Sequence, residues 1–211
     1  KFYNEFIVPN LDNLFSKITS AIRDKCGIDF NTAFLDGSKF EADANKYKFV
    51  WKPTKYHQKL SDKIRIILSK HELNRNVSET GIIPATTIAN KITEFNNLIS
   101  SIDVSDKSNK EIFKEYEFLK SALIKSLEYE EKEKICGPDR NSYYKTDHDA
   151  TAMCLKRDYY SGLGTNTHAA YNTQIIVCKG LIATYYVSQS RSDLKDLIPA
   201  LDKFYESYSI Y

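Results

Sequence analysis

Asp36 is the residue that most invites a chemical reading. It stands in FLDGSKFEADANKYKFVW, residues 34–51, within an alternating run that follows apolar residues. A carboxylate in a half-buried strand loses hydration, at a cost of several kcal/mol unless it is paired or bound to a metal. Two roles meet that condition. Asp36 could ligate a divalent cation, since Mg²⁺ takes oxygen donors and few protein contacts, or it could be a turn aspartate accepting a local N–H. Gly37 beside it predicts a bulge or a close backbone approach.

The segment Lys46 to Lys70 carries eight lysines and arginines against one acid, Asp62, interleaved with Tyr47, Phe49, Trp51 and Tyr56. Cations meet phosphates and aromatic faces stack on bases, so this pattern reads as a nucleic-acid surface. A solvated basic face balanced elsewhere has the same composition. TDHDA (Thr146 to Ala150), with His168 and Cys154, raises the question of a metal, but its spacing matches no zinc pattern. Capping by Asp147 or Asp149 is the expectation there. There is no Walker loop, GxSxG elbow or dinucleotide fingerprint, and Gly162 and Gly164 read as a loop. The histidines fall on different predicted elements, so spacing yields no Ser–His or Cys–His pair.

Several elements must hold these residues. Asn10 is a plausible cap for a helix over 10–26, with Leu11, Leu14, Phe15, Ile18 and Ile22 as its stripe and Gly27 as its end. Residues 32–42 read as a strand with Phe34, Asp36, Ser38 and Phe40 on one face, and 46–51 as a second short one. Three amphipathic helices follow, with stripes Leu60–Ile64–Ile67–Leu68–His71, Ile88–Ile92–Phe95–Leu98–Ile99 and Ile112–Tyr116–Leu119–Leu123–Leu127. They predict a helical hairpin or bundle over 57–134. A short helix is expected from Asp149. AYNTQIIVC and LIATYYVSQ predict a hairpin about Lys179–Gly180. A last helix opens at Ser192 or Asp193, with Leu194, Leu197, Ile198, Leu201 and Phe204 expected inward. Residues 32–42, 171–178 and 181–188 are expected to be neighbours in one mixed sheet.

The 211 residues suffice for one domain with an insertion, and 42% apolar with 27% charged content supports a packed core. A net charge of +2 rules out a polycation. No apolar run is long enough to span a bilayer, and no signal peptide opens the sequence. The cysteines, Cys26, Cys136, Cys154 and Cys178, are scattered and read as free thiols of a reducing cytoplasm. The opening Lys1 and the single methionine, Met153, suggest a piece of a longer coding sequence, a processed product or a gene remnant. Abundant Lys, Asn, Ile and Tyr fit an A/T-rich genome.

DGSKFEADANKYKFVW resembles the first-aspartate motif of bacterial insertion-sequence transposases of the DDE type, written around DG(S/T)K(I/F)EANANKY(T/K)FVW. KTDHDATAMCLKRD is similar to that family's second block, GTNTHAAYNTQIIV to the strand after it, and SQSRSDLKDLIPALDKFYE to the turn and helix that follow. The four blocks run in order from about Asp29 onward, with the helical insertion in the family's usual place. The resemblance implies an α/β (α+β mixed) fold: a partial ribonuclease H-like mixed sheet with a large helical insertion after the first strand. The expected division is 1–28 as an N-terminal helical segment, 29–56 and 141–211 as catalytic domain, and 57–140 as insertion.

It also implies DNA cleavage and strand transfer, in which three carboxylates hold two Mg²⁺ ions. Only Asp36 matches the triad, as catalytic and metal-binding residue. The second and third carboxylates are expected on a strand and a helix after the helix that ends near Tyr205, so the chain is expected to be catalytically incomplete. Asp43 departs from the family's asparagine and adds a negative charge near a phosphate path. Lys39, Lys46, Lys48, Lys52, Lys55, Lys156 and Arg157 are the expected DNA contacts. The expected partners are insertion-sequence ends, the target duplex and a homo-oligomer, with no membrane, at the nucleoid of a bacterial cytoplasm. Rival readings are a helical interaction module without catalysis and another ribonuclease H-like nuclease. Asp36 discriminates between transposase and module: mid-sheet beside the strand at 170–178 with its carboxylate at an open rim, or capping a surface turn.

Overall fold

The computed structural model describes residues 2–100, 109–162 and 166–209. The chain divides into two compact units, one formed by Lys1–Phe49 with Tyr143–Tyr211 and the other by Val50–Ser142. The class is mixed α/β with antiparallel sheets.

The first unit is built on a four-stranded sheet. Its central strand is β5 (His168–Cys178). β1 (Phe34–Glu41) pairs along one edge of β5, and β6 (Leu181–Ser188) and β4 (Thr151–Met153) share the other. All three pairings are antiparallel, so the expected neighbours are in place but the sheet is not mixed in direction. For β5 and β6 the connection dictates this. Lys179 and Gly180 both take positive φ, +47° and +84°, as a two-residue hairpin turn of the primed type demands. β2 (Phe49–Trp51) pairs with β3 (Ser142–Tyr144) in a separate two-stranded sheet. The sequence reading placed β2 and missed β3. It also expected a helix from Asp149, where the chain instead forms β4 and only then a short helix, α5 (Lys156–Tyr160). Thr151 and Met153 face inward and are buried, which a strand's two-residue period permits over so short a span.

Two longer helices complete this unit. α1 (Leu11–Cys26) follows a π turn and a 3-10 turn over residues 3–10, and ends on Gly27 in the left-handed region. Asn10 precedes it but makes no side-chain cap; its amide donates to the Phe6 carbonyl. α6 (Asp193–Tyr208) packs on the sheet through Ala200 and Phe204, which join Phe30, Ile176, Cys178 and Ala183 in the core. The expected inward stripe of α6 holds at Phe204, which is buried, and Leu201, which packs against the core, and is corrected at its start: Leu194, Leu197 and Ile198 are exposed, while Asp196 and Ala200 are buried. α1 likewise turns its stripe mostly outward, with Phe15 as the exception. Its Asp12 accepts from the Tyr185 hydroxyl and from Lys203, Phe15 meets the Tyr185 ring edge-on, and Thr19 is buried. Leu11, Leu14, Ile18 and Ile22 therefore face outward. Amphipathic period alone does not say which neighbour a stripe finds, and here polar pairing has oriented both helices.

The second unit is a three-helix bundle of α2 (Thr54–Lys70), α3 (Ala85–Ile99) and α4 (Lys110–Cys136). Ile64, Leu68, Ile83, Ile88, Phe95, Ile99, Leu119 and Ala122 make its core. Polar contacts fix the α2–α3 connection: the Ile83 N–H donates to Ser61 Oγ (3.0 Å), and the first N–H of α3, at Ala85, donates to Glu130 (2.7 Å). That carboxylate satisfies one of the N-terminal donors a helix leaves unpaired. The α4 stripe is corrected at its end. Leu127 is 54% exposed, and the buried line instead runs Leu119, Ala122, Ser126.

Candidate functional site

Asp36 lies in the middle of β1, opposite Ile175 of β5, which is in turn opposite Tyr185 of β6. Directly opposed residues share a face, so Phe34, Asp36, Ser38 and Phe40 stand on the side opposite α6. Asp36, Phe34 and Phe40 are exposed there. The desolvation cost that motivated a metal is therefore not incurred: the carboxylate keeps its water because nothing among the described residues covers it. β1 also has no strand partner along its outer edge among the described residues.

Gly37 faces the other way, and the expected close approach is what occurs, without a bulge in β1. A Cβ there would lie 2.6 Å from Asp193 Oδ1 and 2.7 Å from Gln174 Nε2. Asp193 Oδ1 accepts from Asn172 (2.8 Å) and Gln174 (3.0 Å), both fully buried. Asp196 accepts from Asn172 (3.0 Å) and the Ser188 hydroxyl (2.8 Å), and burial pushes its carboxyl up. This polar layer binds the start of α6 to the sheet directly beneath Asp36.

At the far end of β1 the structure assembles a second cluster, which sequence reasoning missed. His168 Nδ1–H donates to Glu41 (2.7 Å), and its Nε2 lies 3.3 Å from Asp158. Arg157 pairs with the other oxygen of Glu41 (2.5 Å), and Asn166 joins Asp158 to Lys46. No local signal links positions so far apart; only the register Glu41–Ala170 brings β1 and β5 together there. The His168 hydrogen bond holds the Glu41 carboxyl below its ordinary range, against a smaller pull from desolvation, and Arg157 adds to the effect. A depressed carboxyl contributes stability that is complete above its unfolded value, about 4.3, and is lost as pH falls through its lower folded value. Thermal melts should therefore drop as the pH falls from about 4.3 through the lower folded value, and Glu41→Gln should melt lower near neutrality with a shallower acid drop. An acid drop as steep in Glu41→Gln as in the parent would remove Glu41 from that account.

The remaining sequence candidates separate. Lys48 and Lys156 are exposed; Lys46 is part-buried, with its ammonium 3.4 Å from Asn166 and over the Tyr47 ring. Lys39 stands on the α6 side of β1, opposite Asn172, and so on the face away from Asp36. In the other unit, Lys55 is exposed while Lys52 donates to the Gly137 carbonyl (2.6 Å). Asp43 lies in the bend after β1. Asp147 accepts the Asp149 and Ala150 N–H groups, as expected of a capping aspartate, but it closes a turn before β4 rather than a helix. Gly162 is in a turn, and Gly164 lies outside the described residues.

One constellation that spacing could not reveal sits in the helical bundle. His57 Nε2 is 2.9 Å from Ser126 Oγ and its Nδ1 3.1 Å from Glu133. The order serine, imidazole, carboxylate is that of an acyl-transfer triad. His57 and Ser126 are completely buried, so no substrate reaches the hydroxyl. With Nδ1–H donating to Glu133 and Nε2 accepting from Ser126, the ring is satisfied, and the set ties α2 to α4.

Among the described residues no group of three His, Cys, Asp or Glu side chains is placed to hold a metal ion. Asp36 thus offers one carboxylate, and these residues alone do not fit a two-Mg²⁺ centre. No described helix is long and apolar enough to cross a membrane. No family model matches the sequence, and neither a curated protein nor a solved structure matches it significantly.

Proposed function

We propose that the chain carries the opening part of the ribonuclease H-like catalytic core of a DDE-type DNA transposase, with Asp36 as its first metal-binding carboxylate. The placement of Asp36 carries this reading. It sits mid-strand beside β5 with its carboxylate exposed, on an edge strand rather than the mid-sheet strand expected, and the outer edge of β1 has no partner among the described residues. The order β1, helical unit, β5–β6 hairpin, α6 is also the one the four sequence blocks imply. The reading requires two more carboxylates from outside this chain, with Mg²⁺ bound only in the complete enzyme. It makes DNA the partner, as element ends and target duplex, in a bacterial cytoplasm. A second reading, an interaction module without catalysis, draws on the outward apolar stripes of α1 and α6.

Two measurements test the proposal. With Mg²⁺ or Mn²⁺ the 211-residue chain alone should leave supercoiled DNA uncut, having one ligand where two-metal chemistry needs several. A version lengthened by a strand and a helix bearing the remaining carboxylates should cleave, and Asp36→Ala should abolish that cleavage. Cleavage that survives Asp36→Ala overturns the assignment. Separately, the chain should bind duplex DNA weakly and with steep salt dependence. Lys48→Glu and Lys156→Glu should each weaken binding and reduce the salt slope by roughly one. Binding indifferent to salt would count against a DNA partner.

A further inference from the structure

The surface beside the Glu41–His168 cluster carries three tyrosines whose rings contribute little to any core. Tyr47 is 80% exposed, Tyr159 63% and Tyr160 90%. They come from two stretches more than a hundred residues apart, the loop after β1 and the short helix α5. Asn166 joins these stretches, accepting from Lys46 Nζ (3.4 Å) and donating to Asp158 Oδ1 (3.4 Å). Lys46 lies over the Tyr47 ring, 5.3 Å from its centroid, and Lys156 and Arg157 precede the other two rings on α5. Two acids of the neighbourhood are engaged, Glu41 by Arg157 and His168 and Asp158 by the Leu155 N–H, Asn166 and His168. Asp43, in the bend before Lys46, is exposed beside them, so the solvent-facing groups are the three rings, Lys46, Lys156 and this one carboxylate.

We propose that Tyr47, Tyr159 and Tyr160, with Lys46 and Lys156, form a platform for unpaired bases of a DNA strand. The inference rests on the DNA reading above and deepens it by naming single-stranded rather than duplex DNA as the ligand of this patch. The distinction is physical. In a duplex the base faces are stacked on one another and side chains reach only groove edges and phosphates. A splayed strand offers base faces, and an exposed ring gains by covering one without regard to sequence. Tyr159 and Tyr160 are successive residues of a helix, so their rings diverge by about 100° and meet different bases. Lys46 and Lys156 supply the phosphate contacts, which a strand and a duplex both need.

The test uses fluorescence anisotropy of the full chain at low salt, with a labelled mixed-sequence 12-nucleotide strand and the corresponding 12-base-pair duplex as probes. Tyr159→Ala/Tyr160→Ala should lower affinity for the single strand about tenfold and leave the duplex within about twofold. Tyr159→Phe/Tyr160→Phe should retain single-strand binding, because the ring stacks and the hydroxyl does not. Lys156→Glu should weaken both probes. Circular dichroism melts of the variants should match the parent, since these side chains are exposed. If the parent binds duplex but the alanine pair changes neither probe, or both equally, the platform is overturned while the DNA reading stands. If the parent binds neither probe, both fall.

Discussion

Replacing Leu119 by Ala is expected to destabilise the helical bundle by about 2–5 kcal/mol, and replacing Phe95 by Ala by about 3–5 kcal/mol. Both side chains are fully buried, Phe95 between the His71 ring edge and the Tyr116 ring. Truncation removes the transfer energy of the lost atoms and leaves a cavity among Ile64, Leu68 and Ile88 that rigid helices close only in part. Leu123→Ala should cost less, because Leu123 is only partly buried, and Leu127→Ala should fall within about 0.5 kcal/mol of the parent. Urea unfolding followed by circular dichroism gives these values. The chain forms two units, so the transition is first tested for a single step. Equal losses at Leu119 and Leu127 would mean that the regular heptad-like stripe, not the buried line through Ala122 and Ser126, packs against α2 and α3.

Gly37→Ala is expected to cost about 1–3 kcal/mol or more, as over-packing does in a filled interior. The added methyl would overlap Asp193 Oδ1 at 2.6 Å and Gln174 Nε2 at 2.7 Å, neither of which can swing away freely. Asp193 is held by the Asn172 and Gln174 amides, and Gln174 is fully buried in the central strand. Either β1 shifts, carrying Asp36 with it, or the start of α6 lifts and breaks the polar layer. Asp193→Gly in the same chain removes the closest obstacle, so the double variant should lose less than the two single losses added together. Such non-additivity is the signature of residues in contact. Strict additivity in urea melts would place Asp193 elsewhere in solution and remove the explanation of why position 37 is glycine.

Several parts of this protein were legible because local chemistry decides them. Lys179–Gly180 between two β-branched runs specifies a hairpin, since few residues tolerate positive φ and the strands on both sides have nowhere else to turn. Gly27 ends α1 for the same backbone reason. The three bundle helices follow from period, and Gly37 announced a close approach before its neighbours were known. β3 and β4 were not legible: three residues carry too little pattern, and such strands exist only through the partners they find.

The orientation of α1 and α6 was decided by tertiary structure. The stripe of α6 was expected to face the sheet, yet Asp196 is buried and Leu194 exposed, because Asn172 and Ser188 offer hydrogen bonds that an apolar side chain cannot use. A helical wheel ranks faces by hydrophobicity but does not contain the donors on a strand it has not met. The clusters Glu41–His168–Asp158 and His57–Ser126–Glu133 are of the same kind, each joining side chains from distant segments by register and packing. Asp36 shows both levels at once. Its position in a strand beside a glycine was written in the sequence, but which face it takes, and that this face is open, depended on where α6 and β5 came to lie.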